Sequence, residues 1–293
     1  MKNNRNRIGI MEGRLSAPVG NEIQSFPKHS WKDEFEKAKK CGFEVIEWVF
    51  DLYENNPILS DNGIKEIKTL SEKHNVKVNS VCADYFMKNK LFNVTNSVLE
   101  KNLEILREII QQCHKLEIGI LNLPFVDSSS IKNKIYQNQV LSNLQKVVHS
   151  AEENDVRIAL ETDLPPKEFK DFLLKHNHPN IKANYDIGNS VSLGYDTKEE
   201  LEMLSPWIAN VHVKDRIYQG ETVPLGTGNV NFDLFFSTLA KINYEGDLII
   251  QGAREDDSMI EPELTCKKYF KFVKHYVNMY LPYGCDGSDK KTI

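Results

Sequence analysis

The sequence lacks the features that mark membrane, secreted and nucleic-acid-binding proteins. No apolar stretch approaches the roughly 20 residues that span a bilayer, and the basic start, MKNNRNR, is not followed by the apolar core of a signal peptide. The 37 Lys and Arg residues are outnumbered by 42 Asp and Glu residues, so the net charge of −5 offers no basic field to nucleic acid. The five cysteines form no CxxC pair. We therefore expect reduced thiols and a cytoplasmic protein.

What the 293-residue chain does have is a regular alternation of short apolar runs and longer amphipathic stretches. Strict alternation of this kind predicts a parallel sheet covered by helices, and eight units in fewer than 300 residues fit a closed (β/α)8 barrel. The predicted strands are residues 7–14, 44–50, 76–82, 118–123, 156–161, 181–186, 208–213 and 247–251. The predicted helices lie near residues 30–41, 60–75, 95–117, 131–154, 166–177, 198–206, 231–243 and 260–280.

A doubly wound α/β sheet is the rival fold. It would carry a glycine-rich GxGxxG turn after its first strand, and GIMEGRL, residues 9–15, does not have that spacing. No low-complexity linker divides the chain. The sequence therefore predicts the α/β class with a single TIM barrel over residues 1–281, followed by a polar tail over residues 282–293.

Each of the last four predicted strands ends with a residue that could bind a metal. These residues are Glu161, Asp186, His212 and Gln251, and their sequence neighbours are apolar. Because side chains alternate along a strand, the apolar neighbours would face the helices and these four would face the barrel axis. Two carboxylates, an imidazole and an amide oxygen at one rim predict a site for Mn²⁺, Mg²⁺, Co²⁺ or Zn²⁺.

The segments around these residues resemble the xylose-isomerase-like TIM-barrel superfamily, and within it the sugar phosphate isomerase/epimerase branch. They read ALETD, NYDIGNS, NVHVKD and PLGTGNVNF. The resemblance implies one divalent metal held by Glu, Asp, His and Glu at four strand ends. It also implies proton transfer on an open-chain sugar through an enediolate. Glu161, Asp186 and His212 match this set, whereas Gln251 stands where a glutamate is usual.

Gln251 changes the chemistry that the resemblance implies. An amide oxygen can still bind a hard cation, but an amide cannot accept a proton near neutral pH. Two-base epimerisation would then need a substitute base, for which Glu12, Glu47 and Asp84 are candidates at other strand ends. A 1,2-isomerisation, or a dehydration next to a ketone, would need only Glu161.

Five further residues near the predicted rim are candidates for contact with a substrate. Lys214 would stabilise an enediolate, with an ion pair to a nearby carboxylate as the alternative. Arg216 and Arg254 follow the last two strands, where such barrels often bind phosphate. Trp48 would stack on a sugar face, and Glu47 would bind the substrate.

We therefore predict a metal-dependent isomerase or epimerase of an open-chain ketose or aldose, with Glu161 as the base. A keto-sugar dehydratase of the same fold is an alternative. So is a carbohydrate-binding barrel that has lost turnover through Gln251. A DNA-repair endonuclease of the same superfamily is disfavoured, because the chain is acidic and lacks further histidines at strand ends. The expected partner is a small sugar or sugar phosphate, and such barrels often pair into homo-oligomers.

Overall fold

Eight parallel strands form a closed barrel in a computed structural model that describes residues 6–20, 24–254 and 261–281. Around the barrel the strands follow the order β1-β10-β7-β6-β5-β4-β3-β2, and β8 and β9 form a separate antiparallel hairpin. The strands are β1 (Ile8–Met11), β2 (Val45–Val49), β3 (Lys77–Cys82), β4 (Ile120–Phe125), β5 (Arg157–Thr162), β6 (Ile181–Asp186), β7 (Ile208–Val213), β8 (Asp215–Arg216), β9 (Thr222–Val223) and β10 (Leu248–Ile250). The predicted (β/α)8 barrel is confirmed.

Helices cover the outside of the barrel and follow most of its strands. They are α1 (Trp31–Cys41), α2 (Asp61–His74), α3 (Tyr85–Lys88), α4 (Asn96–Lys115), α5 (Lys134–Gln145), α6 (Val148–Glu153), α7 (Pro166–His176), α8 (Ile187–Ser192), α9 (Thr197–Leu204), α10 (Phe232–Lys241) and α11 (Pro262–Tyr280). Side-chain caps begin several of them: Ser60 accepts from Gly63 N, and Asp196 accepts from Glu199 N. Within the described ranges, none of these helices combines the length and the apolarity that a membrane crossing requires.

The structure departs from the predicted elements where the chain changes direction over a few residues. The predicted helix over 131–154 is two helices. Between them, the backbone N–H groups of Lys146 and Val147 bond to carbonyl oxygens three residues earlier instead of four. The first strand ends at Met11, since the chain turns through Gly13 at a φ of 86°. The hairpin β8–β9 and the short helices α3 and α8 were not predicted. The predicted tail, residues 282–293, lies outside the described residues.

The inside of the barrel is unusually polar for this architecture, in which branched apolar side chains normally fill the interior. Buried polar side chains occupy inward positions of neighbouring strands. They are Glu47, Ser80, Asn122, Asn184 and Asn210. The large apolar core lies between the sheet and the helices instead, and includes Trp48, Phe35 and Phe235. These polar side chains lie below the carboxyl ends of the strands, and Glu47 among them contacts His212 near the end of β7.

Candidate metal centre

Three of the four predicted metal ligands meet at the carboxyl ends of neighbouring strands. Glu161 lies near the end of β5, Asp186 is the last residue of β6, and His212 pairs directly with Asp186 from β7. Each offers one ligand atom, and these atoms lie within 4.8 Å of one another. All three side chains are buried. The strand period thus places them together, as the sequence predicted.

The Asp186 carboxylate is held in its charged form. Its Oδ2 lies 2.9 Å from Lys214 Nζ, and its Oδ1 accepts a hydrogen bond from the Asn189 backbone N–H at 2.9 Å. Burial by itself would raise the pKa of Asp186. The neighbouring Lys214 and His212 outweigh burial and hold that pKa below its usual range. Lys214 therefore forms the ion pair that was its alternative interpretation, and it does so with a predicted metal ligand.

A buried carboxylate lies directly behind His212. Glu47 Oε1 is 2.6 Å from His212 Nε2. Glu47 Oε2 accepts hydrogen bonds from the Ser80 hydroxyl and from the side-chain amides of Asn122 at 2.7 Å and Asn210 at 2.8 Å. Glu47 has no exposed surface, so the predicted contact with a substrate is wrong. Glu47 instead fixes the orientation of the imidazole ring.

Because Nε2 of His212 is occupied by Glu47, the other ring nitrogen faces the cluster. Nδ1 lies 3.5 Å from Glu161 Oε2 and 3.8 Å from Asp186 Oδ2. Burial by itself would lower the pKa of His212, but the three carboxylates raise it well above the usual value. In the absence of a cation, the cluster therefore favours a proton on the imidazole, and a metal ion would compete with that proton.

Two asparagines hold the carboxylate of Glu161. Asn184 donates to Oε2 at 2.8 Å, and Asn189 donates to Oε1 at 2.7 Å. The Asn189 side-chain oxygen also accepts from Lys214 Nζ at 3.3 Å and from Arg216 Nη1 at 2.9 Å. Asn189 thus connects the predicted base, Glu161, to the side chains of Lys214 and Arg216. Sequence reasoning missed it, although it lies three residues after Asp186.

Gln251 lies at the end of β10 and takes part in a chain of hydrogen bonds across the barrel mouth. Its Nε2 donates to Gln24 Oε1 at 2.7 Å, and Gln24 Nε2 donates to Asp84 Oδ2 at 2.6 Å. The Gln251 side-chain oxygen is buried and accepts no hydrogen bond from any described residue. That oxygen is therefore available to a cation, and its role as the fourth ligand stays a prediction.

The donor set fits a divalent metal. It combines two carboxylates with a ring nitrogen whose partner nitrogen is held by a carboxylate. The buried amide oxygen of Gln251, which has no hydrogen-bond partner among the described residues, is the predicted fourth donor. Mixed oxygen and nitrogen ligands of this kind suit Mn²⁺, Mg²⁺, Co²⁺ or Zn²⁺. Glu161, Asp186, His212 and Gln251 are the residues that would hold such an ion.

The structure corrects the prediction for Trp48. Its ring has no exposed surface and packs against Trp31 of α1 at 5.4 Å and Phe26 at 5.3 Å between ring centroids. Its Nε1 donates to Asn56 Oδ1 at 3.0 Å. Trp48 therefore belongs to the core between the sheet and the helices, and no face of its ring is open to a sugar.

The two predicted phosphate-binding arginines differ in position. Arg254 donates to the carbonyl oxygens of Gly13 at 2.7 Å and Ser16 at 2.8 Å, so its two terminal nitrogens hold the loop that follows β1. Its buried Nε has no hydrogen-bond partner among the described residues, and its role in phosphate binding stays a prediction. Arg216 lies beside the cluster, where it donates to Asn189 and, at 2.8 Å, to the carbonyl oxygen of Gly220. Arg216 remains a candidate for substrate contact.

Two further buried carboxylates lie on the helix side of β1. Glu12 accepts from the Val49 backbone N–H at 2.8 Å, and Glu34 of α1 accepts from the Gly13 backbone N–H at 2.8 Å. Burial, with the charge of Glu34, raises the pKa of Glu12 well above its usual value. Burial also raises the pKa of Glu34 to about 7. These groups stand apart from the metal ligands, and Glu34 was not singled out by the sequence.

The family model for the xylose isomerase-like TIM barrel matches residues 35–273. A relative in sequence is L-ribulose-5-phosphate 3-epimerase UlaE of Shigella flexneri serotype 5b. It is 27% identical over 247 residues, which is 80% of this chain and 86% of the relative.

Two solved structures illustrate the likeness in fold. One is an L-ribulose 3-epimerase, with a TM-score of 0.74, 17% identity and coverage of 98% of this chain and 100% of the other. The second is D-allulose 3-epimerase of Methylomonas sp. in complex with D-allulose. It has a TM-score of 0.72, 16% identity and coverage of 93% of this chain and 97% of the other.

Proposed function

Because this chain belongs to the xylose isomerase-like TIM barrel family, we propose that it is a divalent-metal-dependent epimerase or isomerase of an open-chain ketose or ketose phosphate. The enzyme is of the isomerase class, as its named relatives are. The observation that carries the proposal is the cluster of Glu161, Asp186 and His212 at the carboxyl ends of three neighbouring strands. Active sites of TIM barrels lie at this face.

Glu161 is the proposed base. Asn184 and Asn189 fix both of its oxygens, so the carboxylate is oriented before a substrate arrives. It would remove the proton from the carbon next to the substrate carbonyl and so form an enediolate. A bound divalent cation would polarise the carbonyl and the adjacent hydroxyl and so acidify that carbon.

Lys214 is the proposed electrostatic partner of the enediolate. Its ammonium group lies 2.9 Å from Asp186 and 3.3 Å from the Asn189 side-chain oxygen, so it is held at the cluster. A positive charge placed there stabilises negative charge that develops on a substrate oxygen. Arg216, which shares Asn189 with Lys214, would bind a further substrate oxygen or a phosphate.

Epimerisation at carbon 3 is the reaction that the relatives favour. The Shigella relative is a 3-epimerase of a ketose phosphate, and the two structural relatives are 3-epimerases of ketoses. Isomerisation between carbons 1 and 2 is the second candidate, because Gln251 lacks a basic group and that reaction needs only Glu161. A location in the cytoplasm, and association of the barrel into homo-oligomers, are part of the same proposal.

The test is hydrogen exchange with solvent. Protein loaded with Mn²⁺ would be incubated in D₂O with L-ribulose, L-ribulose 5-phosphate and D-allulose, and followed by NMR. We expect deuterium at carbon 3 together with the 3-epimer. Deuterium confined to carbons 1 and 2 would indicate isomerisation, and a new deoxy-keto product would indicate dehydration. Binding of Mn²⁺ without exchange in any sugar would favour a barrel that binds carbohydrate without turnover.

Substitutions of the proposed ligands and of one exposed carboxylate complete this test. Glu161→Gln should weaken Mn²⁺ binding and abolish exchange from at least one epimer, because the proposed base and one metal ligand are lost together. Glu104→Gln changes an exposed carboxylate on α4 and should behave like the wild type. Full Mn²⁺ affinity in Glu161→Gln, Asp186→Asn and His212→Gln alike would disprove the metal site.

A further inference from the structure

The proposed epimerisation lacks a second acid–base group, because Gln251 cannot carry a proton to or from carbon. A 3-epimerase must remove a proton from one face of the substrate and return one to the other face. Three carboxylates at other strand ends were candidates on sequence, and the structure separates them. A second acid–base group at the same barrel mouth would serve the proposed function, and its assignment rests on that function.

Two of the three candidates face away from a substrate. Glu47 lies below His212, has no exposed surface and accepts hydrogen bonds at both of its oxygens. Glu12 is bonded to the Val49 backbone N–H and lies close enough to Glu34 of α1 for the two charges to interact. Neither carboxylate reaches the open end of the barrel.

Asp84 occupies a different position, at the mouth of the barrel. Cys82, the last residue of β3, pairs with Asn122 of β4, and Asn122 pairs with Ala159 of β5. Glu161 lies two residues beyond Ala159 in the same strand and so faces the axis. Asp84 lies two residues beyond the end of β3, in the turn that begins α3. It lies close enough to Glu161 for the two charges to interact.

Asp84 is also linked, through Gln24, to Gln251, the residue that stands where a glutamate is usual. Gln251 donates to the Gln24 side-chain oxygen, and this bond fixes the Gln24 amide so that its nitrogen donates to Asp84 Oδ2 at 2.6 Å. Cys82 Sγ lies 3.2 Å from Asp84 Oδ1. The Asp84 side chain remains partly exposed, so a substrate in the mouth could reach it.

We propose that Asp84 is the second acid–base group of the epimerisation and acts on the face of the ketose opposite to Glu161. In one direction, the Glu161 carboxylate takes the carbon-3 proton, and the C–H electron pair enters the enediolate. The Asp84 carboxylic acid then gives its proton to the other face of carbon 3, and the carbonyl re-forms. Glu161 is left protonated and Asp84 ionised, and both return to their starting states by exchange with water.

The environment of Asp84 suits both halves of this cycle. Burial, together with the charges of Glu161 and Asp51, raises the pKa of Asp84 to about 6, against the lowering effect of the bonds from Cys82 and Gln24. A carboxyl group in this range is present in both protonation states near neutral pH.

The test is an exchange experiment on the Mn²⁺-loaded full chain with the two 3-epimers L-ribulose and L-xylulose. Asp84→Asn should exchange carbon-3 hydrogen with D₂O in only one of the two sugars, and its interconversion of them should fall by at least 100-fold. Wild-type protein should exchange both. A purely structural role for Asp84 would reduce exchange in both sugars alike. Exchange in only one sugar therefore distinguishes a proton donor from a residue that only supports the structure.

The matched control is Asp127→Asn. Asp127 is an exposed carboxylate two residues after the end of β4, and its loss should leave exchange two-sided. A crystal structure of Asp84→Asn with L-ribulose gives a readout independent of turnover. Carbon 3 should lie between the side chain at position 84 and the Glu161 carboxylate.

Interconversion at the wild-type rate in Asp84→Asn would overturn the inference, as would loss of exchange in both sugars or a bound ketose with both groups on one face. Wild-type protein that exchanges neither sugar, nor any other ketose of the panel, would instead disprove the proposed function, and the role of Asp84 would fall with it. Mn²⁺ titration and thermal melting of Asp84→Asn should match the wild type, which separates either result from misfolding.

Discussion

The imidazole of His212 is fixed from behind by the carboxylate of Glu47, with 2.6 Å between Nε2 and Oε1. This contact decides which ring nitrogen faces Glu161 and Asp186. It also gives a reason for the polar interior of the barrel, because three further donors bond to the same Glu47 carboxylate. A fully buried carboxylate inside the barrel thus supports the proposed metal centre from below.

Replacing Glu47 by Gln should weaken metal binding without touching a ligand. The amide keeps only one of the two acceptor oxygens, so it could not accept both from Asn122 and Asn210 and from His212, and it would hold His212 less firmly. We expect Mn²⁺ affinity to fall about 10- to 100-fold, which is the usual cost of losing such a supporting group. Calorimetric titration measures it. Glu44→Gln, at an exposed position just before β2, is the control. Unchanged affinity in Glu47→Gln would contradict the assigned role.

Replacing Gln251 by Glu should strengthen metal binding. A carboxylate would add a negative charge at a buried oxygen that now has no partner among the described residues. We expect roughly a tenfold gain in Mn²⁺ affinity or more, since an added charge contributes at least about 1.4 kcal/mol in a partly buried site. Gln219→Glu, at an exposed position of the β8–β9 hairpin, controls for the change in net charge. Equal affinities in the two variants would show that residue 251 is not a ligand.

Trp48→Phe separates a packing role from contact with a sugar. The variant loses the hydrogen bond to Asn56 and part of the packing against Trp31. We expect the free energy of unfolding to fall by about 1–3 kcal/mol, as for other large buried side chains that are shortened. The KM for L-ribulose should stay within about twofold of the wild type. A large rise in KM with unchanged stability would restore the stacking interpretation.

Glu34 should make the protein less stable as the pH rises. Burial raises its pKa from 4.5 to about 7 in the folded chain, so between these values the unfolded chain releases a proton that the folded chain keeps. The contribution of Glu34 to the free energy of unfolding is therefore fully present below pH 4.5. It is lost as the pH rises through about 7, which lowers the free energy of unfolding by about 3 kcal/mol in all. Glu34→Gln keeps an acceptor for Gly13 N–H and should remove this loss.

Urea unfolding at pH 5 and pH 8 measures the effect of Glu34. The wild type should lose more stability between the two pH values than Glu34→Gln does. Asp33→Asn, at an exposed position on the same helix, should leave the wild-type difference in place. The same difference in all three proteins would show that Glu34 is ionised at both pH values and that its burial has no such effect.

The strand pattern predicted the barrel and the meeting of Glu161, Asp186 and His212, because side-chain alternation depends only on sequence period. The same rule, applied to β2, would have corrected one error. If Glu47 faces the axis, its neighbour Trp48 must face the helices, where the structure places it. The alternation along β2 therefore indicates that Trp48 is a core residue, whereas the ability of a tryptophan ring to stack on a sugar says nothing about which way the ring faces.

The contacts of Gln24 and Asn189 could not be predicted from the sequence. Gln24 lies in a loop, and nothing in its neighbours indicates that it reaches Gln251 of β10 and Asp84 after β3. Asn189 lies on a helix of six residues, too short for a hydrophobic period to show which side it presents. Both depend on how loops close over the barrel, which is a property of tertiary structure.

The closure of the barrel has a consequence for how the chain is synthesised. β1 pairs with β10, so Ile8 lies beside Leu248, and Arg7 forms an ion pair with Asp247 at 2.8 Å. β1, the first strand to leave the ribosome, therefore cannot pair along this edge until β10 has been made. That edge stays unpaired while most of the chain is synthesised. An unpaired edge invites pairing with other chains. A nascent chain stalled before residue 247 would thus be prone to aggregate, even though every proposed metal ligand except Gln251 would already have been synthesised.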